Sequence, residues 1–150
     1  FIMPERFELT YIDEKGHRRT TVMIHRAITG SPERFMGILI EHYAGAFPLW
    51  LSPVQVEVIP VSEKFEKYAQ GILKKLSENN VRVVMNEASE SLGKRIRTAQ
   101  NQKVNYMLIV GEKEMKAKSV AVRDREKGDL GAMKIEKFLE KIQKEIANKK

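Results

Sequence analysis

The chain has no cysteine among its 150 residues, which excludes a disulfide framework and a thiolate metal site and fits a reducing, cytoplasmic setting. Its apolar runs fall far short of the roughly 20 residues that a membrane-spanning helix needs, so no membrane partner is expected. The first residues, FIMPERFELTY, have no initiator Met, basic region or cleavage site, and read as the interior of a longer sequence rather than a signal peptide. Phosphate-cradling loops are missing too: no G-x-x-x-x-G-K-[ST] follows a strand and no G-x-G-x-x-G opens a helix. His17, His25 and His42 are too scattered to form a zinc site by local spacing. No Ser/His/Asp arrangement and no defensible carboxylate pair marks a catalytic unit. Internal repeats and low-complexity tracts are also absent.

What the chain does have is positive charge, unevenly placed. The net charge is +7, and 42% of the residues are hydrophobic, enough for one good core. Residues 1–50 carry six Lys/Arg against six Asp/Glu, while residues 51–150 carry twenty-one against fourteen. Within Lys94 to Lys127 ten basic residues face four acidic ones. A surface of one sign attracts a polyanion, which makes nucleic acid the first candidate partner. Charge alone is equally compatible with lysines that serve solubility.

Periodicity divides the chain. RFELTYI alternates as a strand, DEKG supplies a turn and TTVMIH is β-branched and apolar, so Arg6 to His25 is expected to form a β-hairpin. Ser31 is placed to cap a helix with Pro32 at its first position; Phe35, Ile38, Leu39 and Tyr43 follow at helical spacing, and Gly45 closes it. AGAFPLWLSP then holds two of the five prolines and the only tryptophan. That composition reads as a linker or hinge, with one domain over 1–50 and another over 51–150. Strands are expected at Val54 to Val58, VRVVM, YMLIV and SVAVR, with helices around Phe65 to Leu76, Leu92 to Ala99 and Ile135 to Ile146. Only the turn GEKEMKAK separates the third strand from the fourth, too little for a crossover, so these two should be antiparallel neighbours. The expected fold is α/β: a mixed, mostly parallel sheet flanked by helices, with one antiparallel strand, preceded by a β-hairpin and a helix.

The best local candidate for binding is LGKRIR. Leu92 and Ile96 point inward at i, i+4, which would leave Lys94, Arg95 and Arg97 on the solvent side. With Lys103 after the helix and Arg123 on the following strand, one edge of the sheet could meet phosphates and splayed bases of single-stranded RNA. Glu114 could accept from a base amino group. A solvated helix face remains the alternative on these features alone.

The stretches VMIHRAITGSPERFMGILIEHYAGAFPLWLSPVQV, YMLIVGEKE and VAVRDREKGDLGAM together resemble the C-terminal portion of the threonyl-tRNA synthetases, a family of class II aminoacyl-tRNA synthetases, and the resemblance spans essentially all of the chain. It implies that residues 1–50 are the end of a catalytic domain carrying the third class II signature motif, and residues 51–150 an anticodon-binding domain. Arg34 then stands where that motif has the arginine that lies over adenine and helps hold ATP, a role suited to a planar, permanently charged guanidinium. His25 matches one of three ligands to a zinc that binds threonine, and Ser31 falls in the wall of the amino-acid pocket. Glu114 and Arg123 match anticodon contacts, with Arg95 and Arg97 near the RNA backbone. NEASES departs from the pattern, with Ser89 and Ser91 where the family often has Asn and Lys. The resemblance further implies Mg²⁺, ATP, threonine and tRNA(Thr) as partners of an intact homodimeric threonine–tRNA ligase, and an inactive, monomeric fragment here. The alternative is a freestanding RNA-binding accessory protein built on the same domain.

Overall fold

A computed structural model describes residues 2–149. The chain forms two compact units, one ending at Gly37 and one starting at Ile38.

In the first unit, helix α1 (Ile2–Arg6) precedes a two-stranded hairpin of β1 (Thr10–Ile12) and β2 (Arg18–Thr20), in register from Thr10↔Thr20 to Ile12↔Arg18. Asp13 builds the turn by accepting from the amides of Lys15 (3.0 Å) and His17 (2.8 Å) and from Arg19 Nε (3.1 Å). The His17 amide is the main reason the Asp13 carboxyl lies below its usual range. The hairpin is shorter than the Arg6 to His25 expectation: α1 occupies its start, and residues 21–27 take no regular structure. Val22 and Ile24 are 69% and 86% exposed. β-branched residues favour a strand through neighbours on a pleated surface, and here only the Thr21 amide finds one, donating to Leu9 O at 3.1 Å, before the chain leaves the hairpin.

Helix α2 (Pro32–Tyr43) begins as expected: the Arg34 amide donates to Ser31 Oγ at 3.2 Å. The Ser31 hydroxyl donates to Glu33 at 2.6 Å and holds that carboxyl below its usual range. The chain leaves the helix through Ala44 and Gly45, both left-handed at φ +48° and +76°, and the Gly45 amide donates to Ile40 O at 3.0 Å.

The second unit holds a five-stranded sheet in the order β4-β3-β5-β6-β7. Its strands are β3 (Val56–Pro60), β4 (Val83–Met85), β5 (Tyr106–Val110), β6 (Ser119–Asp124) and β7 (Gly128–Lys134). β3 pairs in parallel with β4 and β5, while β5–β6 and β6–β7 are antiparallel. The apolar stripes of α3 (Glu66–Glu78) and α6 (Ile135–Ala147) cover one face: Ala69, Ile72, Leu76, Phe138, Leu139 and Ile142 pack with Val56, Val58, Leu108, Val120 and Val122. α4 (Leu92–Asn101) covers part of the other, where Leu92, Ile96 and Ala99 meet Ile59 and Met107. Burying about 25 cal/mol per Å² of apolar surface on both faces makes this sheet the stable centre of the chain.

Two expectations change. GEKEMKAK is the short helix α5 (Glu112–Ala117), not a bare turn, and it ends on Lys118 in the left-handed region at φ +50°. At six residues it is too short to carry a crossover, so β5 and β6 are indeed antiparallel neighbours. A fifth strand, β7, adds a second antiparallel pairing, with a register shift at Val122/Arg123 that accommodates its glycines.

Candidate nucleic-acid interface

Strand alternation sorts the second unit's side chains by face. Val120 and Val122 enter the core with α3 and α6, so Ala121 and Arg123 project to the face that carries α4. Arg123 pairs in register with Met107 and Asp129, and it lines a shallow cavity of about 240 Å³ with Gln100, Val104, Met107 and Arg125. Neighbouring Asp124 is raised by burial but lowered further by the amides of Lys127 and Glu126, so it remains a carboxylate. A half-buried guanidinium on an open sheet face is suited to phosphate and base edges.

The remaining predicted residues do not converge on Arg123. Arg97 is exposed on the outer side of α4, beside exposed Lys94, which pairs with Glu90. Arg95 is only 2% exposed. Its guanidinium donates to the carbonyls of Pro60 (2.7 Å), Glu90 (3.0 Å) and Val61 (3.2 Å), pinning α4 and the preceding loop to the end of β3. The expectation that it faces solvent with Arg97 is therefore corrected: Leu92, Arg95, Ile96 and Ala99 form one i, i+3, i+4, i+7 stripe. Lys103 directs its ammonium to Ala44 O. Glu114 accepts from the Gly111 amide at 3.0 Å, closing the first turn of α5. Because Arg123 sits opposite Met107 and Glu114 lies beyond Val110, the two stand at opposite ends of β5, about 10 Å or more apart along it. Ser89 and Ser91 are exposed in and after the loop before α4.

A polar residue in the same face escaped the sequence reading. Glu57 on β3 is 3% exposed; its Oε1 accepts from Asn86 Nδ2 at 2.7 Å, its Oε2 is buried without a partner, and burial raises its pKa. Its place between Val56 and Val58 in an apolar strand was the available signal.

In the first unit, Ser31 and Arg34 meet through the helix cap, and Arg34 is exposed in the first turn of α2. His25 is exposed in the irregular segment after the hairpin. Among the described residues no three His, Asp or Glu side chains gather as a metal site, and no helix is long and apolar enough to cross a membrane.

A profile of the family described as "Anticodon binding domain" matches residues 55–145. The chain belongs to that family. This anticodon-binding domain and the residues before it are 52% identical over 149 residues to a threonine–tRNA ligase of Caldanaerobacter subterraneus, covering 99% of this chain and 23% of the relative. A threonine–tRNA ligase of Carboxydothermus hydrogenoformans is 54% identical over 150 residues, all of this chain and 24% of that protein. Among solved structures, the RNA-binding domain of threonyl-tRNA synthetase from Cryptosporidium parvum superposes with a TM-score of 0.73 at 35% identity, covering 96% of this chain and 36% of that one. The chain thus spans about a quarter of the length of the curated relatives it matches.

Proposed function

We propose that the chain is the C-terminal part of a threonine–tRNA ligase, in which residues 51–150 read the tRNA anticodon and residues 1–50 close the catalytic domain. The observation that carries this reading is identity of about half over 99% of the chain, which includes the region before the anticodon-binding profile begins at residue 55. A freestanding RNA-binding protein would have no need to retain that region. In this reading Arg123 and Arg97 meet the RNA, with Glu114 at the far end of β5. Arg34, set on the first turn of α2 by the Ser31 cap, lies over the adenine of ATP and faces phosphate oxygen. Ser31 borders the threonine site.

The intact enzyme joins the threonine carboxylate to the α-phosphate of Mg²⁺-bound ATP, releases pyrophosphate, and passes the threonyl group to the tRNA terminal hydroxyl with release of AMP. The chain's own residues supply one wall for the first step and the grip on tRNA for the second; alone it is inactive, because transition-state stabilisation needs the whole constellation. His25 would be one zinc ligand. No three-ligand cluster exists among the described residues, so the other ligands would come from residues outside this chain. Bound there, zinc would act as a Lewis acid on the substrate's amino and hydroxyl groups. Threonine, ATP, tRNA(Thr) and a second copy are the intact enzyme's partners in this reading, and the cytoplasm its setting.

Two substitutions in the intact protein test the division of labour. Arg34→Ala should reduce ATP–pyrophosphate exchange by roughly 10²-fold or more, as loss of a positioned charge does. Arg123→Ala should leave exchange intact and lower tRNA charging by about 5- to 150-fold, as loss of about 1–3 kcal/mol of contact implies. If both variants lost only charging, Arg34 would not be an ATP contact and the assignment would fail.

A further inference from the structure

Residues 44–55 join α2 to β3, and over 44–52 neither helix nor strand occupies the carbonyls. Side chains from the sheet region take five of them. Lys103 Nζ donates to Ala44 O. Asn105 Nδ2 (3.0 Å) and Arg125 Nη1 (2.9 Å) both donate to Phe47 O. Gln55 Nε2 reaches Leu49 O at 2.8 Å, and Arg82 reaches Trp50 O and Ser52 O, each at 2.7 Å. The segment expected to be a hinge is therefore clamped, and the C-terminal half of α2 from Ile38 belongs to the same compact unit as the sheet.

Arg125 is the centre of the clamp. Besides Phe47 O, its Nη1 donates to Lys103 O at 3.1 Å, and its main-chain amide donates to Asn105 O at 2.9 Å. One residue thus ties together the connector, the end of α4 and the start of β5. Lys103 contributes from the left-handed region at φ +58°, a conformation costly for a residue with a Cβ. That conformation accompanies its two roles, the ammonium on Ala44 and the carbonyl on Arg125. Arg125 also lines the Arg123 cavity, two residues along the chain.

We propose that Arg125, with Lys103 and Asn105, is a positioning device that makes the RNA-facing sheet and the end of α2 one rigid body, so that tRNA held by the sheet reaches the catalytic site in register. Arg125 binds no substrate; it acts through the connector. The inference rests on the ligase reading above. The test is Arg125→Met, which keeps the aliphatic stem and removes the donors, beside Arg125→Lys, in the intact ligase. The expected result is threonine activation and KM for tRNA within about twofold of the parent, and kcat for charging down roughly tenfold, the size of a coupling lost along a contact network. Arg125→Lys should recover part of that loss. If activation, charging and melting temperature fell together, Arg125 would be a structural residue only. A rise in KM with unchanged kcat would make it an RNA contact, and an unchanged Arg125→Met would remove its role; each of these overturns the proposal. An unsubstituted protein that charges no tRNA would instead overturn the ligase reading.

Discussion

Arg95 and Arg97 lie two positions apart on α4, a rotation of about 200°, and their surroundings are opposite. Arg95 is buried on three carbonyls, and truncating it leaves those acceptors unsatisfied, at a cost of roughly 2–4 kcal/mol. Arg95→Ala should therefore lower the melting temperature by roughly 5–15 °C. Arg97→Ala should leave it within about 2 °C and reduce the salt slope of tRNA binding by about one. Thermal melts and salt titrations of the two variants check this; a reversed pattern would exchange their roles. The spacing from Leu92 to Ala99 already placed Arg95 on the inner face, and the preference of arginine for solvent hid it. Glu57 was legible only as a charge within an apolar strand. Its raised pKa means that the folded state takes up the proton more readily than the unfolded chain does. Its contribution to stability is thus present below the unfolded pKa and lost as pH rises through the folded one. Glu57→Gln should melt higher than the parent at pH 8, and the gap should close by about pH 4. An equal gap at both pH values would show that Glu57 does not titrate between them.

At the scale of elements, the strongly patterned ones could be read directly. YMLIV became a strand buried on both faces, and Ser31-Pro32 became a helix start. GDLGAMK was not legible as β7, because Gly128 and Gly131 adopt φ of +75° and +78° and the half-exposed strand has no clean alternation. GEKEMKAK concealed α5 because six residues are too few for a helical period to register; the Glu114 bond to the Gly111 amide defines its start. TTVMIH failed in the other direction: its composition favours a strand, but only Thr20 and Thr21 meet the opposite strand, and Val22 to His25 take no regular structure. The connector was misread for a similar reason. Its prolines and glycine signal irregular backbone correctly, but irregular is not mobile, and apart from nearby Gln55 the side chains that fix it, Arg82, Lys103, Asn105 and Arg125, are remote in sequence.

At the scale of the molecule, the two units differ in how much of their chemistry they contain. The sheet unit has its own core on both faces and carries the +7 excess of residues 51–150. In the first unit Ile24 and Ile28 are 86% and 80% exposed, Arg34 and His25 are exposed too, and among the described residues no three metal-binding side chains gather. That contrast explains why the RNA-binding class was legible from charge and spacing, while the roles of His25 and Arg34 came only through family resemblance. The central claim is that the sheet reads an anticodon rather than merely attracting polyanions, and charge alone gives affinity without sequence preference. The most direct measurement is the affinity of this chain, across a salt series, for tRNA carrying a threonine anticodon and for the same tRNA with its middle and last anticodon bases changed. The account predicts weaker binding of the altered tRNA by roughly 5-fold or more at every salt concentration, with parallel salt slopes. Equal affinity for the two would contradict it.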